Sequence, residues 1–100
     1  MKYIMGIDVG TSGVKCIIID EQGKVIASDT QGYPLSTPQN GWSEQDPANW
    51  WQGTLTAVKN VVDSSGIGND DIVGLGFSGQ MHGLVALDEN DNVIRPAILW

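Results

Sequence analysis

Residues 3–20 read Tyr3-Ile4-Met5-Gly6-Ile7-Asp8-Val9-Gly10-Thr11-Ser12-Gly13-Val14-Lys15-Cys16-Ile17-Ile18-Ile19-Asp20, and this stretch decides the fold. Tyr3–Val9 is an apolar run carrying one charge, Asp8, which is the pattern of a strand buried on both faces. Val14–Asp20 is a second run, rich in β-branched Val14, Ile17, Ile18 and Ile19, which favour extended backbone. The link Gly10-Thr11-Ser12-Gly13 is short and made of turn formers, so the two predicted strands pair as a hairpin.

Working outward, Glu21–Lys24 is a turn and Val25–Thr30 a third strand, giving an antiparallel meander. Pro34–Gly41 has loop composition. Asp46-Pro47 predicts a helix start, with Asp46 as N-cap and Pro47 at the first helical position. Trp51, Leu55, Val58 and Val62 recur at spacings of four, three and four, and Trp50, Ala57 and Val61 widen that stripe, which is expected to lie on the sheet. Ser64-Ser65-Gly66 ends the helix. Ile72–Ser78 predicts a fourth strand and Leu84–Leu87 a fifth. Asp88–Asn92 is an acidic turn, and Val93–Leu99 a sixth strand broken by Pro96. The expected class is α/β in the order β-β-β-α-β-β-β, with no internal repeat.

Composition narrows the function. The chain has 100 residues, 41% hydrophobic, with 12 acidic and 5 basic side chains and a formal charge of −7. Those numbers suit one small globular domain. The scattered basic residues are Lys2, Lys15, Lys24, Lys59 and Arg95; they argue against nucleic acid, whose binding needs clustered cations, and against an anionic membrane surface. The single cysteine, Cys16, cannot form an intrachain disulfide, which fits a reducing compartment; a core filler is its expected role. No apolar stretch at the N-terminus is long enough for a signal or a span, so a cytoplasmic protein is expected. The chain stops at Trp100 inside an apolar run, which reads as a piece of a longer protein. A homo-oligomer is compatible with the sequence.

Two constellations carry chemistry. In the first, Asp8 ends a buried strand, where a carboxylate is costly without a cation or hydrogen bonds. Gly10 and Gly13 allow backbone N–H groups to approach a ligand, Thr11 and Ser12 add hydroxyls, and Lys15 follows. Together they form an anion cradle with a carboxylate placed to hold Mg²⁺ through water. The same residues also fit an ordinary hairpin turn in which Asp8 accepts the turn's N–H bonds. In the second, Gln80-Met81-His82-Gly83 follows the fourth strand at its carboxyl end, where ligands of open α/β sheets gather. A neutral His donates one hydrogen bond and accepts another, which suits a polyol; a satisfied turn residue is the plainer alternative. Trp42 and Glu44 either line a sugar cleft or pack at the loop-to-helix junction. Gly74–Gly79 matches G-x-G-x-x-G, but the dinucleotide fingerprint needs a helix directly after it, and here a strand follows.

Ile7–Lys15 between two strands resembles the phosphate-1 loop of the actin, sugar-kinase and heat-shock chaperone superfamily. Trp42-Ser43-Glu44-Gln45-Asp46-Pro47 ahead of a Trp-bearing helix is similar to the FGGY carbohydrate kinases. Gly79-Gln80-Met81-His82-Gly83 and Arg95–Trp100 resemble the xylulokinase branch of that family. The resemblance covers nearly the whole chain. It implies an incomplete RNase H-like first domain, with the second domain outside residues 1–100. It further implies ATP-dependent phosphorylation of D-xylulose to D-xylulose 5-phosphate, with ATP and Mg²⁺ as cofactors. Ribulose, gluconate or glycerol kinases, and a non-enzymatic actin-like lobe, are the alternatives. The resemblance assigns Gly10, Thr11, Ser12, Gly13 and Lys15 to the nucleotide, Asp8 to the metal, and Gln80, Met81, His82, Gly83 and Trp42 to the sugar. It puts the catalytic base beyond residue 100, so these 100 residues alone are expected to be inactive.

Overall fold

A computed structural model describes residues 1–99. It contains β1 (Tyr3–Val9), β2 (Gly13–Ile19), β3 (Val25–Gly32), β4 (Glu44–Gln45), α1 (Pro47–Ser65), a 3₁₀ turn at Asn69–Asp71, β5 (Ile72–Gly79) and β6 (Ala97–Ile98). The main sheet has the order β3-β2-β1-β5. β1 and β2 pair antiparallel with Asp8 opposite Lys15, and β2 and β3 continue the meander. β5 joins the other edge of β1 in parallel, with Asp8 opposite Ser78 and Val9 opposite Gly79. A parallel neighbour needs a crossover, and α1 lies within it.

Side chains of a strand alternate between faces. On one face Met5, Ile7, Val14, Cys16 and Ile18 are buried together with Ala57 and Val61 of α1. The other face carries Gly6, Asp8, Lys15 and Ile17. Full burial of side chains such as Ile18 and Val14 stabilises by about 1.5–3 kcal/mol each.

The helix begins and ends where its residues dictate. The Asp46 carboxylate accepts from the Ala48 N–H at 3.0 Å, Pro47 opens the first turn, and Gly66 closes it at φ 68°. Of the expected stripe, the side carrying Ala57 and Val61 meets the sheet, and the edge carrying Trp51 and Leu55 does not. Ala57 and Val61 are buried, and Val58 and Val62 are half-buried, whereas Trp51 and Leu55 are 62% and 44% exposed. The sheet-facing set Trp50, Thr54, Ala57 and Val61 has the same four-three-four spacing, one residue earlier. Periodicity cannot choose between two stripes 100° apart. Small residues choose: Gly53 sits so close to Val14 that a Cβ there would lie 3.1 Å from its Cγ1, and this proximity sets the helix's rotation.

The second half departs from the expected strands. Glu44–Gln45, inside a stretch expected to lead straight into the helix, is a short strand paired with Ala97–Ile98, so the order is β-β-β-β-α-β-β. Leu84–Leu87 is not a strand: it makes only single bridges, Leu84 with Ile98 and Leu87 with Val93. Its apolar side chains Leu84, Val85 and Leu87 remain exposed, with no face to bury. Val93–Leu99 shrinks to two strand residues because Pro96 offers no N–H. The acidic turn is present, held by Asp88, whose carboxylate accepts from the N–H groups of Asn92 and Asn90 at 2.9 and 2.8 Å. Those bonds, that from Asn92 foremost, hold its carboxyl below the usual carboxylate range. Gly74–Gly79 lies within β5 and, among the described residues, no helix follows it, so the dinucleotide fingerprint lacks the helix it needs. Trp100, the last residue of the Arg95–Trp100 motif, lies outside the described residues.

Candidate active site

The link between β1 and β2 closes on itself through Gly10 N–H donating to the Gly13 carbonyl at 2.9 Å. Gly13 is required by its neighbour strand as well as by any ligand, since a Cβ there would meet the Gln31 carbonyl oxygen at 2.4 Å. Tyr33, just past β3, pins the loop from outside. Its hydroxyl donates to the Gly10 carbonyl, and its N–H donates to the Ser12 carbonyl at 3.3 Å. Burial, and then the Asp8 charge, push the Tyr33 phenol above its ordinary pKa. Among the described residues, the N–H groups of Thr11 and Ser12 have no backbone acceptor. They are therefore available to an anion, as a nest of backbone donors would be.

Asp8 stands at the carboxyl end of β1 on the face away from α1. It is exposed, and the Ser78 hydroxyl donates to its Oδ1 at 2.8 Å. The turn-capping alternative for Asp8 is therefore not what the structure shows: its partner is across the sheet. Asp8, Gly6, Lys15, Ile17, Ser28 and Ser78 line an open groove of about 350 Å³. Among the described residues no cluster of three or more His, Cys, Asp or Glu side chains is formed. A cation in this groove would meet a single protein carboxylate. That donor set fits Mg²⁺, which keeps most of its waters and commonly takes one or two carboxylates beside substrate phosphates.

Gln80 ties the second constellation to the first. Its N–H donates to the Val9 carbonyl at 2.9 Å, which extends the β1–β5 pairing one step beyond the strands. Its side-chain oxygen accepts from the Thr11 hydroxyl at 3.1 Å, and its amide nitrogen donates to Gln45 Oε1 at 3.1 Å. Gln45 Oε1 also accepts from the Trp50 indole N–H at 2.9 Å, while Gln45 Nε2 donates to the Thr11 carbonyl. The Thr11 hydroxyl proton is thus directed inward to Gln80, leaving Ser12 as the exposed hydroxyl of the loop.

Gln80, His82 and Gly83 line a recess of about 250 Å³ with Val9, Trp50 and Gly79. His82 is exposed and holds a left-handed backbone at φ 61°, a conformation that costs a non-glycine residue of order 1 kcal/mol and is concentrated at functional sites. Met81 is exposed. Trp42 lines a different recess, with Gly41, Ser43, Glu44, Arg95, Ile98 and Leu99. Glu44 is nearly buried there and ion-paired to Arg95. So the structure gathers Asp8, the loop, Gln80, His82 and Gly83 at the carboxyl ends of β1 and β5 and places Trp42 apart from the Gln80–His82 recess. Sequence reasoning passed over Gln45, Tyr33 and Ser78. Ser78 was within reach once β5 was set parallel to β1, because it then faces Asp8. Gln45 stood within the Trp42–Pro47 motif without a role of its own, and Tyr33 gave no signal, since neither polar side chain follows a periodic pattern.

Residues 3–100 match the FGGY family of carbohydrate kinases, N-terminal domain. The chain is 49% identical over its full length to xylulose kinase of Bacillus subtilis (strain 168), and 50% identical over 96% of its length to xylulose kinase of Escherichia coli (strain K12). It spans about a fifth of each: 20% of the first and 19% of the second. The crystal structure of a xyloylose kinase from Brucella ovis superposes with a TM-score of 0.92 at 43% identity, over 98% of this chain and 21% of that one. The sugar kinases among its solved neighbours have the actin-like, RNase H-like fold, the architecture expected of the mixed sheet. The chain belongs to the FGGY family of carbohydrate kinases.

Proposed function

We propose that the protein carrying this chain transfers the γ-phosphoryl group of ATP to D-xylulose, giving D-xylulose 5-phosphate. The observation that carries this reading is the meeting of the two constellations: the loop after β1 and the Gln80–Gly83 segment after β5 are joined by Gln80, whose N–H bonds Val9 at 2.9 Å. Phosphoryl transfer rests on positioning and on stabilising charge at the phosphate oxygens, and such a junction sets donor and acceptor side by side.

In this reading the N–H groups of Thr11 and Ser12 and the Ser12 hydroxyl bind phosphate oxygens, and Gly10 and Gly13 keep the loop free of Cβ atoms. Lys15, opposite Asp8 on β2, adds positive charge. Asp8, oriented by Ser78, would hold Mg²⁺, which when bound would offset negative charge on the phosphates. Gln80, the Met81 backbone, His82 and Gly83 bind sugar hydroxyls, His82 using both ring nitrogens. Trp42 shapes the sugar cleft from its separate recess. In this reading, which the family resemblance supports, the base that takes the acceptor hydroxyl's proton lies beyond residue 100. Residues 1–100 alone are accordingly inactive. The single buried thiol of Cys16 supports a cytoplasmic setting.

The test is thermal melting and ADP release with the full-length protein, using D-xylulose, D-ribulose, gluconate and glycerol in parallel. D-xylulose at 100 times its Kd is expected to stabilise by about 2.7 kcal/mol and to be phosphorylated with the highest kcat/KM. A larger kcat/KM for another sugar would move the assignment to that sugar. Neither stabilisation nor phosphorylation by any sugar would favour a nucleotide-binding lobe used for assembly.

A further inference from the structure

Gln45 is 2% exposed, lies outside the groove and the recess, and yet touches three segments. The Thr11 hydroxyl donates to Gln80, the Gln80 amide donates to Gln45, and the Gln45 amide donates to the Thr11 carbonyl. These bonds close a cycle in which every member gives to the next.

The sense of that cycle follows from chemistry. The Trp50 indole N–H can only donate, so the Gln45 atom beside it is the oxygen. The Thr11 carbonyl can only accept, so the Gln45 atom beside it is the nitrogen. With Gln45 oriented, Gln80 must present its nitrogen to Gln45 Oε1 and its oxygen to the Thr11 hydroxyl. Two one-way partners therefore fix three side chains, and cooperative polarisation strengthens such closed chains of bonds.

From this geometry we infer that Gln45 is a positioning residue for phosphoryl transfer, holding the phosphate loop at Thr11 and the sugar segment at Gln80 in one register. The inference rests on the sugar-kinase reading and adds to it a residue that touches neither ligand. Each ligand is bound through its own segment, so loss of Gln45 leaves the two affinities largely intact. What it loosens is the alignment of the attacking hydroxyl with the γ-phosphoryl group. A misplacement of about 1 Å can cost roughly 100-fold in rate.

The experiment compares wild type, Gln45→Met and Trp50→Phe in the full-length enzyme. Methionine keeps the length of the side chain and removes its amide. Phenylalanine keeps an aromatic body and removes the indole N–H that orients Gln45. Turnover is expressed per sugar-binding site counted by calorimetric titration with D-xylulose, so that a misfolded fraction does not mimic a slow enzyme. Gln45→Met is expected to lower kcat about 10- to 100-fold while KM for D-xylulose and for ATP changes less than about threefold. Trp50→Phe, losing one hydrogen bond, is expected to lower kcat roughly 2- to 10-fold with KM for ATP changed less than about threefold; KM for D-xylulose is no criterion for this variant, because Trp50 lines the recess. Unchanged kcat per site in the variants, beside a wild type that phosphorylates the sugar, would overturn the positioning role and leave the kinase reading standing, as would losses confined to KM. If Gln45→Met does not fold, Trp50→Phe decides by kcat per site and KM for ATP. A wild type that phosphorylates no sugar would overturn both.

Discussion

Single atoms at the β1–β2 link decide what the loop tolerates. Gly13 faces the Gln31 carbonyl too closely for any side chain, so Gly13→Ala forces the backbones of β2 and β3 apart at the loop proposed to bind phosphate. The expected result is a loss of at least about 1 kcal/mol of stability, the lower range for overpacking a tight site, together with weaker ATP binding by calorimetry. Tyr33→Phe removes the hydroxyl that holds Gly10 and is expected to cost about 0.5–1.5 kcal/mol in denaturant unfolding. Cys16 supplies a pH dependence. Burial, and then the Asp29 charge, raise its thiol above the ordinary 9.0. Below pH 9 the thiol is protonated in folded and unfolded chains alike, and its contribution to stability is complete. As pH climbs past 9, the unfolded chain releases this proton while the folded chain retains it, so stability falls until the folded pKa is passed. Tyr33 has the same sign but begins near its ordinary 10.0. Denaturation midpoints are therefore expected to decline above pH 9, and Cys16→Ala to remove the part of that decline between pH 9 and 10.

At the scale of elements, α1 was legible from its ends and only in part from its middle, where Ala57 and Val61 of the expected stripe are buried but Trp51 and Leu55 are exposed. Asp46, Pro47 and Gly66 are local signals whose geometry depends on a few neighbouring atoms, and each does what its type predicts. Asp46→Ala is expected to destabilise by about 1 kcal/mol through loss of the bond to the Ala48 N–H, read in thermal melting. Which stripe meets the sheet depends on Gly53 and Ala57 finding Val14 and its neighbours, a tertiary fact that spacing alone does not contain. The meander and β5 were legible for the same reason as the helix ends: continuous β-branched or apolar runs bounded by turn residues. Residues 80–99 were not, because Leu84, Val85 and Leu87 look like strand residues but have little of this chain to pack on. Of the site, Asp8, the loop and Gln80–Gly83 were readable as chemistry-bearing residues at strand ends. The hydrogen bonds that unite them were not, since they run through Gln45, 34 residues from Thr11 and 35 from Gln80.

Over the whole molecule, one face is left open. Val73, Leu75 and Phe77 of β5 point to the side of the sheet that bears α1, because Leu75 and Phe77 pair with the core-facing Met5 and Ile7. They lie beyond the helix, and Phe77 is 70% exposed. Trp51 and Leu55 are exposed on the flank of α1 away from its contacts with β3. An apolar surface of this kind drives association, opposed here by a net charge of −7. Residues 1–100 produced alone are expected to elute above monomer size and to associate further when salt screens the charge; a monomer at high salt would show that this surface is less sticky than its composition predicts. The most direct measurement is ATP-to-sugar phosphoryl transfer by the full-length protein and its Asp8→Asn variant, with D-xylulose as acceptor. The account predicts that wild type forms D-xylulose 5-phosphate and that Asp8→Asn, isosteric and folded, loses about 100-fold or more in kcat, on the order of the electrostatic contribution of one well-placed group. Equal turnover by the two proteins would contradict it, as would the absence of any phosphorylated sugar.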